Sequence, residues 1–155
     1  MNEALYRYSE IFYSPQGEGK GITGDPCVWI RWFLCNLQCD GFGQTNPADK
    51  DTYDLPYKDF DLTGVTDLKS LPVWTKGCDS SYSWAKRYKH LCEMETASVI
   101  ADKLVNAMKN DFNPEGLFQH PHSGNDVTLT MTGGEPLFSQ PAMVALLDEF
   151  EHRDN

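Results

Sequence analysis

A nearly continuous apolar run occupies residues 27–34, Cys-Val-Trp-Ile-Arg-Trp-Phe-Leu. Its β-branched and aromatic content predicts a strand covered on both faces. Residues 127–131, Val-Thr-Leu-Thr-Met, predict a second buried strand, and the aromatic-rich residues 5–14 read as a further extended segment. Val99, Ile100, Leu104, Val105 and Met108 recur at helical spacing. They predict a helix that starts at an N-cap on Thr96 and runs to about Lys109. Residues 141–151 predict a final helix, and the amphipathic stretch 82–92 reads as helical too. Residues 110–125 form a polar loop. Residues 40–77 have no helical period; short strands are expected there around 52–57 and 73–74.

The order strand, loop, helix, helix, strand, loop, helix implies an α/β arrangement of parallel strands with crossover helices. The length of 155 residues fits a single domain, 1–155, and no internal repeat is visible. Apolar residues at 40% and aromatics at 12% are enough for a packed core. The net charge of −10 disfavours nucleic acid as a partner. Residues 40–77 hold seven Asp against four Lys, which reads as a solvated surface. There is no apolar run long enough to span a membrane and no basic-then-apolar leader, so a cytoplasmic protein without membrane contact is expected.

The chemistry lies in cysteines and glycines. Five cysteines, an odd number, disfavour a disulfide framework. Cys35 and Cys39 form a C-x3-C, and Cys78 follows after 38 residues. Three thiolates can hold three irons of a [4Fe–4S] cluster and leave the fourth open. A zinc site on Cys35, Cys39, Cys78 and Cys92 is the alternative, although that set lacks paired close spacings. Cys27 and Cys92 otherwise read as ordinary buried thiols, and His90, His120, His122 and His152 as surface or loop residues. Trp29, Trp32 and Phe33 read as core. Thr132-Gly133-Gly134-Glu135-Pro136 follows the second strand directly, where a ligand can approach the backbone closely. Arg31, the lone charge in its strand, needs either a carboxylate of the fold or an acidic ligand.

From Glu10-Ile11-Phe12 through Gln16-Gly17-Glu18-Gly19, Gly24, Pro26 and Ile30-Arg31 to Cys35-Asn36-Leu37 and Cys39, the chain resembles the N-terminus of 7-carboxy-7-deazaguanine synthases. These are radical S-adenosylmethionine (SAM) enzymes. The family continues C-x2-C-D-T; here Gly77-Cys78-Asp79-Ser80 resembles the missing half, with Ser for Thr. The stretch 40–76 then reads as an insertion between the second and third cluster cysteines. The resemblance covers 10–39 and 77–151.

The resemblance implies the N-terminal part of a partial (β/α) radical SAM barrel with an insertion in the cluster loop. It implies that Cys35, Cys39 and Cys78 ligate a [4Fe–4S] cluster. Gly77, Cys78, Asp79, Gly134 and Glu135 would contact SAM, which such enzymes cleave reductively. Pro15, Gln16, Gly17, Arg31 and Thr132 would bind the substrate, and Ser80 would bind Mg2+. The implied reaction contracts a 6-carboxytetrahydropterin to 7-carboxy-7-deazaguanine with loss of ammonia. Implied partners are the pterin and an electron donor such as flavodoxin; a homodimer is allowed. Because the family extends well past Gly-Gly-Glu-Pro, the expectation is a shortened gene product, a split enzyme with its C-terminal half on another chain, or a remnant. A non-catalytic metal-binding or scaffold fragment is the competing function.

Overall fold

Strand β1 (Tyr6–Pro15) turns back through residues 16–25 into strand β2 (Pro26–Trp32), and the two pair antiparallel. The computed structural model describes residues 3–36, 59–74 and 78–153. Strand β3 (Glu93–Glu95) adds antiparallel to the other edge of β1, and strand β4 (Thr128–Gly133) pairs parallel with β2. The sheet order is β3-β1-β2-β4.

The fold is therefore mixed α/β, and the expectation of parallel strands holds for β2 and β4 alone. The connection between β1 and β2 is too short for a crossover, which takes roughly a dozen residues or more. Its glycines instead make a turn: Gly19, Gly21 and Gly24 have φ of 117°, 83° and 92°. Gln16 N–H donates to Asp25 O at 2.8 Å and closes the loop.

Helix α1 (Ala97–Met108) supplies the crossover between β2 and β4, and helix α2 (Gln140–Glu151) follows β4. Thr96 caps α1 by accepting the Val99 N–H. Both helices pack on one face of the sheet. Ile100, Leu104 and Met108 of α1 and Leu146 of α2 meet Val28, Ile30 and Trp32 of β2 there. Leu129 and Met131 of β4 join them.

The other face is set by a bulge. Tyr8 pairs with Trp32, but Glu10, not Ser9, pairs with Arg31. One extra residue in β1 reverses the alternation beyond it. Tyr6 and Tyr8 point to the helices before the bulge and Ile11 after it. Glu10 and Phe12 consequently share the helix-free face with Trp29 and Arg31 of β2 and Thr130 and Thr132 of β4. Phe12 stacks on Trp29 at 5.7 Å. Trp29 thus lies outside the helix-side core in which Trp32 is buried.

Two expected elements differ. Residues 82–92 do not form one helix; they make 3₁₀ turns at Ser81–Ser83 and Lys86–Leu91. The Ser83 carbonyl accepts the Leu34 N–H at 2.8 Å, and Ala85 is extended, so no α-helical ladder can run through. Residues 73–74 are not a strand, and 52–57 lie outside the described residues. The turns form a second small core of Trp84, Ala85, Tyr88 and Leu91. Among the described residues no helix is long and apolar enough to cross a membrane.

Candidate functional site

Parallel pairing puts the ends of β2 and β4 on one edge of the sheet. Arg31 is the register partner of Thr132, and Trp32 of Gly133. The chain leaves β2 through Leu34, whose φ of 111° is a strained value for a leucine. Two backbone hydrogen bonds hold it. Its N–H donates to Ser83 O at 2.8 Å, and its carbonyl accepts the Glu135 N–H at 3.1 Å. One residue thereby ties together the cysteine loop after β2, the Cys78 segment and the Gly-Gly-Glu-Pro turn.

The two glycines are required by this contact. A Cβ on Gly133, where φ is 154°, would sit 2.5 Å from Trp32 O. A Cβ on Gly134 would sit 2.6 Å from both Cys35 Cβ and Leu34 O. Glu135 and Pro136 have a local role: the Glu135 carboxylate accepts the Leu137 N–H at 3.0 Å and caps the turn Pro136–Ser139.

Cys35 and Cys78 are both half-buried and pack against the same Trp84–Leu91 core. Trp84 Nε1–H donates to Cys78 Sγ at 3.3 Å. Gly134 closes on Cys35 from the other side. The chemistry of this donor set fits a thiolate-held cluster: two of the three expected ligands border one small core, and Cys35 also abuts the glycine turn. Cys39 and Gly77 lie outside the described residues, and among the described residues no three His, Cys, Asp or Glu side chains are grouped to hold a metal. Cys92 sits apart, donating to Tyr88 O at 3.7 Å and facing Ser9 Oγ at the same distance. Burial pushes its thiol up, which is unsuited to the fourth ligand of a zinc site. Cys27 is fully buried.

Beside the cysteines is a charged centre that sequence reasoning did not assemble. Arg31 Nε–H donates to Glu10 Oε1 at 2.7 Å, and Nη1–H donates to Ser80 Oγ at 3.1 Å. Tyr82 O–H donates to the same Glu10 oxygen at 2.8 Å, and the guanidinium lies 5.6 Å from the Tyr82 ring centre. Burial pushes the Tyr82 phenol up, against the pull of Arg31 and helped by Glu10, so it remains a donor. Ser80 Oγ–H donates to Asp79 at 2.9 Å. Of the two alternatives open for Arg31, the fold supplies the carboxylate, Glu10, yet leaves Nη2 without a hydrogen bond among the described residues.

This arrangement does not fit Mg2+ on Ser80. The hydroxyl oxygen already faces Arg31, and a second cation there would meet the guanidinium at contact distance. Pro15, Gln16 and Gly17 are also not beside Arg31. Five strand positions separate Pro15 from Glu10, roughly 17 Å along β1. Gln16 Nε2–H donates to Glu18 O at 2.8 Å, while Gln16 Oε1 is buried with no donor among the described residues. The Phe12–Trp29 stack lies between that loop and the Arg31 centre on the same face. The histidines are elsewhere: His120 and His122 on the polar loop, His152 against Asp148 O, His90 against Arg87 O.

No protein-family model, no curated protein and no solved structure matches this chain.

Proposed function

We propose that this chain is a radical SAM enzyme of the 7-carboxy-7-deazaguanine synthase type. The observation that carries the reading is the convergence at Leu34: its backbone joins Ser83 and Glu135, so Cys35, Cys78 and the glycine turn meet at one end of parallel strands. Ligands of α/β folds bind at that end. In this reading Cys35, Cys39 and Cys78 would hold a [4Fe–4S] cluster, and the Gly134–Glu135 backbone packed beside Cys35 would contact SAM. When bound, the pair supplies one-electron reductive chemistry that side chains cannot. A reducing cytoplasm suits such a cluster.

The chain's own residues bind and orient. Arg31 is pre-aimed by Glu10 and Ser80, and its unused Nη2 presents a cation to the substrate carboxylate. Thr132, its register partner, adds a hydroxyl from β4. Tyr82 fixes Glu10, so the guanidinium has one orientation rather than several. Past Arg31 on the same sheet face, Trp29 and Phe12 stack at 5.7 Å as an apolar patch next to the guanidinium's strand position. The substrate class is a 6-carboxy-5,6,7,8-tetrahydropterin.

Anaerobic reconstitution with iron and sulfide, followed by reductant and SAM, tests this. Release of 5′-deoxyadenosine that depends on Cys35 and Cys78 is the expected result. A reconstituted chain that carries no cluster, or cleaves no SAM, overturns it.

A further inference from the structure

The cavity over Arg31 has walls of two origins. One side is Glu10, Arg31, Asp79, Ser80 and Tyr82; the other is contributed by Leu68, Lys69 and residues 71–74, from the stretch between Cys39 and Cys78. Its volume is about 360 Å3. That lies at the lower end of small-molecule sites, about 300–1,000 Å3, and suits one compact ring system.

The second wall is a built structure. Asp67 caps the 3₁₀ turn Leu68–Ser70 by accepting the Ser70 N–H at 3.1 Å. The Phe60 ring meets Trp74 edge-on at 5.4 Å. Leu62, Val65, Leu68 and Leu71 pack on the Trp84–Leu91 core, and Arg87 donates to Phe60 O. The wall is thus anchored to the segment that carries Cys78.

Charge accounting in the cavity singles out one residue. Glu10 is countered by Arg31 and bonded by Tyr82, while Asp79 takes the neutral Ser80 hydroxyl and has no cation paired with it among the described residues. Lys69 lines the cavity from the second wall and has no carboxylate partner among the described residues. Lys69 and Arg31 thus line one cavity, and neither the Lys69 ammonium nor Arg31 Nη2 has a hydrogen bond among the described residues; Leu71, Pro72 and Trp74 make the apolar side.

We propose that residues 68–74 form the specificity wall of this site, and that Lys69 shares with Arg31 the carboxylate of a flat heterocyclic acid. The proposal rests on Arg31 being a substrate residue, and it assigns to the inserted segment the choice of which acid enters.

The test titrates the full chain with 6-carboxypterin and with pterin, the same ring without the carboxylate, following ligand fluorescence. Lys69→Met should weaken 6-carboxypterin about tenfold and change pterin by less than about twofold, the loss of one charge-assisted hydrogen bond. Lys69→Glu should abolish 6-carboxypterin binding, and Trp74→Ala should weaken both ligands. Lys69 is exposed on a turn, and circular dichroism melting checks that its variants fold. Unchanged 6-carboxypterin binding in both Lys69 variants, with loss in Arg31→Gln, would overturn the wall and leave the Arg31 reading standing. Wild-type-like binding in all three, or no binding by the wild type, would overturn both.

Discussion

Gly134 lies directly against Cys35: a side chain at 134 would bring its Cβ to 2.6 Å from the Cys35 Cβ and equally close to Leu34 O. The glycine turn and the first cysteine are therefore a single packed unit. Gly134→Ala should destabilise the fold by about 1–3 kcal/mol, because the opposing atoms are backbone and a short side chain and cannot swing away. Urea denaturation measures this. A variant as stable as the wild type would mean that the turn does not close on Cys35.

Leu34 pays for the same junction with backbone strain. At φ 111° a leucine carries a penalty of about 1 kcal/mol or more. The side chain is exposed, so removing it loses little packing. Leu34→Gly should raise the melting temperature, while Leu34→Ala, which keeps the Cβ, should not.

Glu10 and Arg31 are only partly exposed, at 30% and 17% of their side-chain surface. Glu10→Gln should cost about 1.5–3 kcal/mol, since it removes a charge-assisted hydrogen bond and leaves the guanidinium without its counter-charge. A double-mutant cycle with Arg31→Gln should return a coupling of about 0.5–3 kcal/mol. Tyr82→Phe should cost about 1 kcal/mol through the lost phenol bond to Glu10. Zero coupling in the cycle would mean the pair does not form in solution.

A second polar network ties β3 to α1. Lys103 donates to Tyr8, Glu93 and Glu95, and the single proton of the buried Tyr8 phenol is shared between Glu95 at 2.7 Å and Glu93 at 2.9 Å. The hydrogen bond from Lys103 holds the Glu93 carboxyl below the usual carboxylate range. A depressed carboxyl contributes stability above its unfolded value and loses it as pH falls through the folded one. Burial pulls Lys103 down, but the hydrogen bonds it donates to Glu93, Tyr8 and Glu95 together raise it, so its contribution is full at neutral pH and fades only in strong alkali. Lys103→Met should therefore melt below the wild type at pH 7. The two curves should converge as pH drops through the acidic carboxylate range. Curves that stay parallel to low pH would show that Glu93 is not held by Lys103.

The legible parts of this fold were those fixed by local pattern. Thr96 and the spacing from Val99 to Met108 gave α1, and the apolar runs gave β2 and β4. Strand β3 was not legible: Glu-Met-Glu has no strand signature of its own and is extended only because Tyr6–Tyr8 pairs with it. The 82–92 stretch has helical amphipathicity, but the carbonyl of Ser83 is spent on Leu34, a contact 49 positions back in the chain. Within the site, the motif residues were visible by type, whereas Glu10 and Tyr82 were not. Their role depends on which face of β1 a residue occupies, and no periodicity announces a bulge. The same limit separated Gln16 from Arg31: the two share a motif but sit at opposite ends of a hairpin.

The extra residue at Ser9 divides β1 into two independent circuits. Upstream, Tyr8 is wired into Glu93, Glu95 and Lys103 on the helix side; downstream, Glu10 is wired into Arg31 and the cavity. The two positions that flank Ser9 thus report on different properties, one on cohesion and the other on recognition. Deleting Ser9 would leave Tyr8 opposite Trp32 and Glu10 opposite Arg31 in a regular ladder, each side chain on the face it already holds. That single-codon deletion should keep the fold, whereas deleting Phe12 from the regular part of the ladder, which turns its neighbours over, should abolish it.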